Sequence, residues 1–351
     1  MESDTIDFVI TWVDGGDKEW QKERNKYAGK DPEDLADYRF RDWDNLRYWF
    51  RGIEKYAPWV NNIYFVTNGQ VPEWLNLNNP KLKWIKHEDY IPEEYLPTFS
   101  SHPIELNLHN ITELSEHFVY FNDDTFLTDY VSKEDFFVNG LPRYHAQLDV
   151  NNNCDEQFEH IILNDAQFVN RYLSLDVSFR NNKKMWYDNT HAFKSKIKNW
   201  FLSMFHNICA IKNIHMPTPI LKSTMIELWE KYPSDFKKTS SHKFRSIEDI
   251  NMYVFSWYDL IRGNCMPLDI KRIRYFVLGK NDDIVSEAIR CKKYKMICVN
   301  DTGAAENYEV TKSKINSAFE EVLPDKCSYE LWNRRRFIYE KSCNYYNVWK
   351  F

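Results

Sequence analysis

The chain has 351 residues, 43 % of them hydrophobic and 28 % charged, and a formal charge of −6. That is an ordinary globular composition, with room for one large domain or two small ones. The acidic balance argues against general nucleic-acid affinity, which needs a basic face against phosphates.

Seven cysteines without CxxC spacing signal neither a disulfide framework nor a zinc cage, which suits a reducing cytosol. Aromatic residues are the outlier at 17 %, with 13 Trp and 22 Tyr. Flat rings stack on pyranose faces and on uracil, although core packing accounts for most of such a surplus. No apolar run reaches the ~18 residues of a membrane span, and the first residues carry no basic leader. A cytoplasmic protein is expected, soluble or resting against the inner face of the cell membrane.

Ile6 to Val13 is a β-branched, apolar run that stops at Asp14-Gly15-Gly16-Asp17, a strand followed by a turn. Leu46, Trp49, Phe50, Ile53 and Tyr56 fall at helical spacing, and Pro58 closes that helix. Asn62 to Thr67 reads as a second strand ending at Asn68-Gly69, residues 82–86 as a third, and Phe118 to Phe121 as a fourth ending at Asn122-Asp123-Asp124. Strands alternating with helices imply a parallel, Rossmann-like sheet, whose ligands collect beyond the carboxyl ends of the strands. Three strands end there in polar turns.

Residues 150–212 read as an insertion or lid. Residues 219–231 and 246–262 have helical spacing. The tail beyond residue 326 reads as a basic, aromatic amphipathic helix, in which Leu331, Ile338, Tyr345 and Trp349 share a stripe. Such a helix suits either an anionic membrane surface, through residues 330–351, or packing on the protein itself.

Four constellations can carry chemistry. Adjacent carboxylates after a buried strand, Asp123 and Asp124, can hold a divalent cation or simply form a turn. The Asp14–Asp17 turn lets a ligand approach the backbone and offers an Asp to a ribose, or is only a turn. Arg41, Arg47 and Arg51 can present guanidinium forks to a diphosphate, or lie on a solvated helix face. His215, the run from Ser240 to Arg245, and Asn300-Asp301 supply the imidazole, guanidinium and carboxylate that phosphoryl transfer requires. Spacing alone does not bring these last three together.

The stretches IDFVITWVDGGD, FRDWDNLRYWFRGIEKYAPWVNNIYFVTNGQ, LPTFSSHPIELNLHNITELSEHFVYFNDDTFL, HMP, KTSSHKFR and CVNDT resemble the conserved regions of the Stealth family. These are bacterial surface-polysaccharide sugar-1-phosphate transferases and the related animal GlcNAc-1-phosphotransferase. The resemblance covers about residues 5–130 and resumes around 213–262 and 297–302. It implies an α/β, Rossmann-like fold similar to the GT-A nucleotide-sugar transferase core, with an added helical part. Residues 1–325 would form one catalytic domain: a nucleotide-sugar half (1–130), a variable acceptor or lid segment (150–212) and a second half of the site (213–302). Residues 326–351 would form the terminal helix.

The same resemblance implies catalytic roles for His215, Arg245, Asp123, Asp124, Asp301 and His102. It implies a nucleotide pocket around Trp12, Asp14, Gly15, Arg41, Asn45, Arg47, Thr67 and Asn68, and Mg²⁺ or Mn²⁺ on Asp124 and Asp301. The donor would be a UDP-sugar and the acceptor an oligosaccharide or a lipid-linked glycan. The reaction would be transfer of hexose- or N-acetylhexosamine-1-phosphate with release of UMP. An ordinary glycosyltransferase releasing UDP, or a non-catalytic sugar-nucleotide-binding protein, are the competing expectations.

Overall fold

In the computed structural model, which describes residues 5–28, 40–151 and 157–331, the first apolar run forms β1 (Ile6–Thr11) in the middle of a five-stranded sheet. β2 (Ile63–Thr67) and then β3 (Leu82–Lys86) add on one side of β1. β4 (His117–Phe121) and then strand Thr218–Leu221 add on the other. The pairings are parallel except at the edge, where Thr218–Leu221 runs antiparallel to β4. Strand addition therefore changes side between β1 and β4. That reversal opens a crevice at their carboxyl ends, the usual ligand site of an α/β sheet.

Both faces of the sheet are covered. Phe8, Ile10, Phe65 and Phe121 pack with Trp49, Phe50 and Ile53 of α2 (Leu46–Tyr56), the second helix after α1 (Lys18–Tyr27). Val9, Tyr64, Val66, Phe118 and Tyr120 face the opposite cluster, which includes Met225 and Leu228 of helix Lys222–Lys231 and Phe255 of helix Tyr253–Arg262. Double-sided burial explains why these strands read as unbroken apolar runs.

A second, three-stranded sheet decides the site. β5 (Thr125–Leu127) begins directly after Asp124 and pairs antiparallel with Met296–Asn300, which pairs in parallel with Ile273–Val277. Cys298 stands opposite Thr125 in that register. Residues far apart in the chain thus reach the turn after β4. The α/β, Rossmann-like core with an added helical part is the architecture observed.

Several sequence expectations need correction. Residues 219–231 are not one helix: Thr218–Leu221 pairs with β4 before the helix begins at Lys222, because edge pairing outweighs helical spacing. The helix expected over 246–262 begins only at Tyr253. Asp249 folds the preceding residues into a turn by accepting from Ser246 N, and Asn251 Oδ1 caps Tyr253 N. Segment 150–212 contains helices Gln157–Tyr172, Leu175–Asn181, Lys183–Trp186 and Phe193–Ser203.

Arg51 is no diphosphate fork. It is buried, with Nε and Nη2 on the Glu330 carboxylate at 2.7 and 3.0 Å and Nη1 on Glu320 at 3.0 Å. The same contact draws residues 326–331 into a turn with a bridge between Leu75 and Glu330, where a helix was expected to begin. Residues 332–351 of that expected helix lie outside the described residues.

Candidate active site

A cleft of about 1470 Å³ opens at the carboxyl ends of β1 and β4. Asn122, Asp123 and Asp124 form its floor, and Asn213, His215 and Asn300 stand beside them. Asp124 Oδ2 meets His215 Nε2 at 3.2 Å, Asn300 Nδ2 at 2.8 Å and Cys298 Sγ at 3.2 Å. His215 sits at φ 43°, a left-handed conformation that is uncommon for a residue with a side chain. Asn213 Oδ1 holds the turn by accepting from His215 N at 2.7 Å. The other ring nitrogen, Nδ1, lies 3.4 Å from the Tyr253 hydroxyl, which also receives Asn213 Nδ2.

The electrostatics follow from this packing. Burial by itself would raise the Asp124 carboxyl, but the His215 charge and the bonds from His215, Asn300 and Cys298 hold it below the usual range. Burial likewise disfavours the His215 imidazolium, and the Asp124 charge outweighs it and raises the ring above its ordinary value. Asp123 behaves oppositely. Desolvation between the cleft walls, then the Asp124 and Asp42 charges, push it up to about 7. Neighbouring carboxylates are thus driven apart, one kept ionised and one close to neutral protonation.

Two buried carboxylate oxygens here have no hydrogen-bond partner, Asp124 Oδ1 and Asp301 Oδ2. Asp301 Oδ1 accepts from Gly303 N, and the Arg41 guanidinium stands 3.7 Å from Oδ2. An unpaired buried acceptor costs about 1–3 kcal/mol, which a cation or a ligand donor removes. Among the described residues, Asp124, His215 and Cys298 are the group with spacing for a metal ion. Burial holds the Cys298 thiol well above its ordinary pKa, and as a thiol it donates to Asp124. Beside it stand the Asp124 and Asp301 oxygens and the His215 imidazole nitrogen, a donor set that suits a divalent cation.

Arg245 forms part of the opposite wall, with Nη2 3.2 Å from Ser101 Oγ. Its loop is tied down by the fully buried Asp249, which accepts from His242 Nδ1 at 2.6 Å, His102 Nδ1 at 2.8 Å and Ser246 N at 3.0 Å. His102 is therefore buried behind Arg245 and does not line the cleft. Phe99 and Phe244 stack at 5.2 Å along the same wall.

Of the residues expected around the nucleotide, Trp12, Arg41, Asn45 and Asn68 line the cleft. Asp14, Gly15, Arg47 and Thr67 do not. Asp14 Oδ1 accepts from Gly16 N, and its backbone is clasped by Gln70. A Cβ at Gly15 would stand 2.0 Å from the Phe40 carbonyl, so glycine lets that segment approach. Arg47 pairs with Asp44 at 3.3 Å, and buried Thr67 accepts from Trp84 Nε1 and Gly69 N. Cys298, Tyr253 and Asn213 carried no signal of their own in the sequence. The pairing of 296–300 with β5 was the feature that would have exposed Cys298.

Conserved regions 1, 2 and 3 of the Stealth proteins match residues 4–32, 39–144 and 214–258. A capsular polysaccharide phosphotransferase WcwK of Streptococcus pneumoniae is 40 % identical over 331 residues, 93 % of this chain and 98 % of that protein. The receptor polysaccharide phosphotransferase WefC of Streptococcus oralis is 36 % identical over 333 residues, 93 % of this chain and 99 % of its own. Among solved structures, the galactosyltransferase LgtC aligns over 89 % of this chain and 95 % of its own, at 9 % identity and a TM-score of 0.35, a loose likeness that bears on neither site nor chemistry. Matched in all three conserved regions, and by phosphotransferase relatives along nearly its whole length, the chain belongs to the Stealth family and is a transferase enzyme.

Proposed function

We propose that this enzyme transfers hexose- or N-acetylhexosamine-1-phosphate from a UDP-sugar to a hydroxyl of a glycan acceptor in bacterial capsular or cell-surface polysaccharide synthesis. The observation that carries the reading is the Asp124–His215 pair on the floor of a cleft whose walls hold Arg245 and Arg41. The phosphotransferase names of its relatives support it.

In this reading the acceptor oxygen attacks the β-phosphorus of the donor. The bond from that phosphorus to the oxygen bridging the two phosphates breaks, and UMP leaves with that oxygen. The sugar keeps its phosphate, now in a diester. His215, whose Nε2–H donates to Asp124, takes the acceptor proton at Nδ1, and Asp124 stabilises the imidazolium that forms. Arg245 and Arg41 offset the charge that gathers on the phosphoryl oxygens. Asp123, exposed on the cleft floor, is placed to meet the donor. His102 acts through Asp249 on the position of Arg245. Asp124 Oδ1 and Asp301 Oδ2 would hold Mg²⁺ or Mn²⁺, which would supply charge neutralisation at the diphosphate. The aromatic wall and Trp12 suit sugar and uracil faces.

The test is incubation with a panel of UDP-sugars, a divalent cation and a glycan acceptor, with the nucleotide products separated by chromatography. Acceptor-dependent UMP is the expected outcome. Acceptor-dependent UDP would make the chain an ordinary glycosyltransferase, and donor binding without turnover would leave it a sugar-nucleotide-binding protein.

A further inference from the structure

Helix Phe193–Ser203 is turned inside out relative to an ordinary helix on a globular core. Its buried face is carried by Asn199, wholly inaccessible, and by Leu202. Asn199 fixes the rotation of the helix: its Oδ1 accepts from Leu148 N at 2.7 Å, and its Nδ2 donates to the carbonyls of Ala146 and Trp186 at 2.9 and 2.8 Å. The outward face holds Phe193, Ile197, Trp200 and Phe201, continued past the helix end by Met204 and Phe205. Phe193 is 77 % exposed, Trp200 60 % and Phe205 59 %. A soluble monomer rarely exposes so contiguous an apolar surface without a partner for it.

The charges around this stripe say which partner. At about 100° per residue, Lys194 borders one side of the stripe and Lys196 the other. Lys183 and Lys184 are exposed on the preceding short helix. Residues 189–212 contain no Asp or Glu, in a chain whose formal charge is −6. Three acids reach the region: Asp149 pairs with Lys198, Asp176 contacts His206, and Asp188 lies near Lys196, leaving Lys183, Lys184 and Lys194 as the excess charge beside the stripe. Pairing the same face with that of a second copy would bring like charges together across a two-fold axis. An anionic bilayer instead satisfies both features, taking the rings below the headgroups and the lysines among them. The helix is about 16 Å long, too short to cross a bilayer but suited to lying in its surface. Among the described residues no helix is long and apolar enough to span.

We propose that the face formed by Phe193, Ile197, Trp200, Phe201, Met204 and Phe205 docks this protein in the plane of an anionic lipid membrane. From the end of this helix the chain runs through strand Ala210–Ile211 directly to Asn213 and His215 of the cleft.

The experiment is co-sedimentation of the full chain with phosphatidylglycerol–phosphatidylcholine vesicles and with pure phosphatidylcholine vesicles. The wild type is expected to sediment with the anionic vesicles, more weakly at high salt. Trp200→Ser combined with Phe201→Ser, and separately Lys194→Glu combined with Lys196→Glu, are each expected to lower the partition coefficient at least ~10-fold. Both variants should keep the wild-type thermal melt. The charge variant, altering only lysine side chains at the borders of the stripe, keeps the test open should the aromatic one fold poorly. Removal of residues 332–351 is expected to leave vesicle binding in place. No binding by the wild type, or unchanged binding by both variants, overturns the proposal. So does self-association of the wild type that the aromatic variant abolishes while vesicles remain unbound.

Discussion

The turn after β1 and the turn after β4 look alike in the sequence, since each is a run of Asp with small or amide residues closing a buried strand. In the structure they differ in where their polar atoms go. Asp14 uses its carboxylate two residues on, at Gly16 N, and the turn is complete within itself apart from the Gln70 clasp. Asp124 receives His215, Cys298 and Asn300 from far along the chain and still has a buried oxygen without a partner. Arg47 and Arg51 repeat the contrast one helical turn apart: Arg47 pairs locally with Asp44, whereas Arg51 ties α2 to Glu330. A polar residue that its own turn satisfies is scaffolding. One that distant segments converge upon is either a site or a structural anchor, and an unmet valence that opens on the cleft tells the two apart.

That contrast can be broken by experiment. The largest effect is expected at the convergent pair: Asp124→Asn or His215→Ala should lower acceptor-dependent UMP release by roughly 10²–10⁴-fold, with an unchanged thermal melt. Near-normal turnover in either variant would leave the pair a structural contact. Arg51→Ala should instead cost about 3–5 kcal/mol in urea unfolding, because it strands the buried Glu330 carboxylate. A loss under about 1 kcal/mol would reduce that anchor to an exposed surface pair.

Asp259 sharpens the anchor side of the comparison. It is fully buried, and desolvation raises it to about 7 despite bonds from Asn264 and Thr224. The unfolded chain releases this proton near pH ~4, the folded chain only near 7. Between those values the folded state binds more protons, so stability falls as pH rises from about 4 to about 7 and then levels, by up to about 4 kcal/mol. Asp259→Asn should lessen that slope in a series of urea melts, the remainder belonging to Asp123, Glu105 and Asp165, which are raised in the same direction; an unchanged slope would remove Asp259 from it. The smallest effect is expected at Asp14→Asn, since an amide oxygen also accepts from Gly16 N. Turnover should stay within roughly threefold of wild type. Collapse of activity there would erase the distinction between the two turns.

How much was legible follows the range of each interaction. β1, β2, β4 and α2 could be read because burial on both sheet faces leaves unbroken apolar runs, and helical burial leaves a 3.6-residue rhythm. The two strand-end turns could be located but not told apart. The edge strand Thr218–Leu221 was hidden inside a helical pattern. The stripe from Phe193 to Phe205 could not be seen as exposed, because apolar spacing does not say which side of a helix faces the core.

The sequence by itself therefore determined the α/β core, the crevice at the strand ends and the family, all written in local periodicity and short contiguous motifs. Tertiary structure alone decided which candidates meet. The pairing of β5 with Met296–Asn300 carries Asn300 to Asp124, and the turn held by Asn213 aims His215 at the same oxygen. Such meetings depend on strand register and loop closure over 91 and 176 residues, and no local pattern in the chain encodes them.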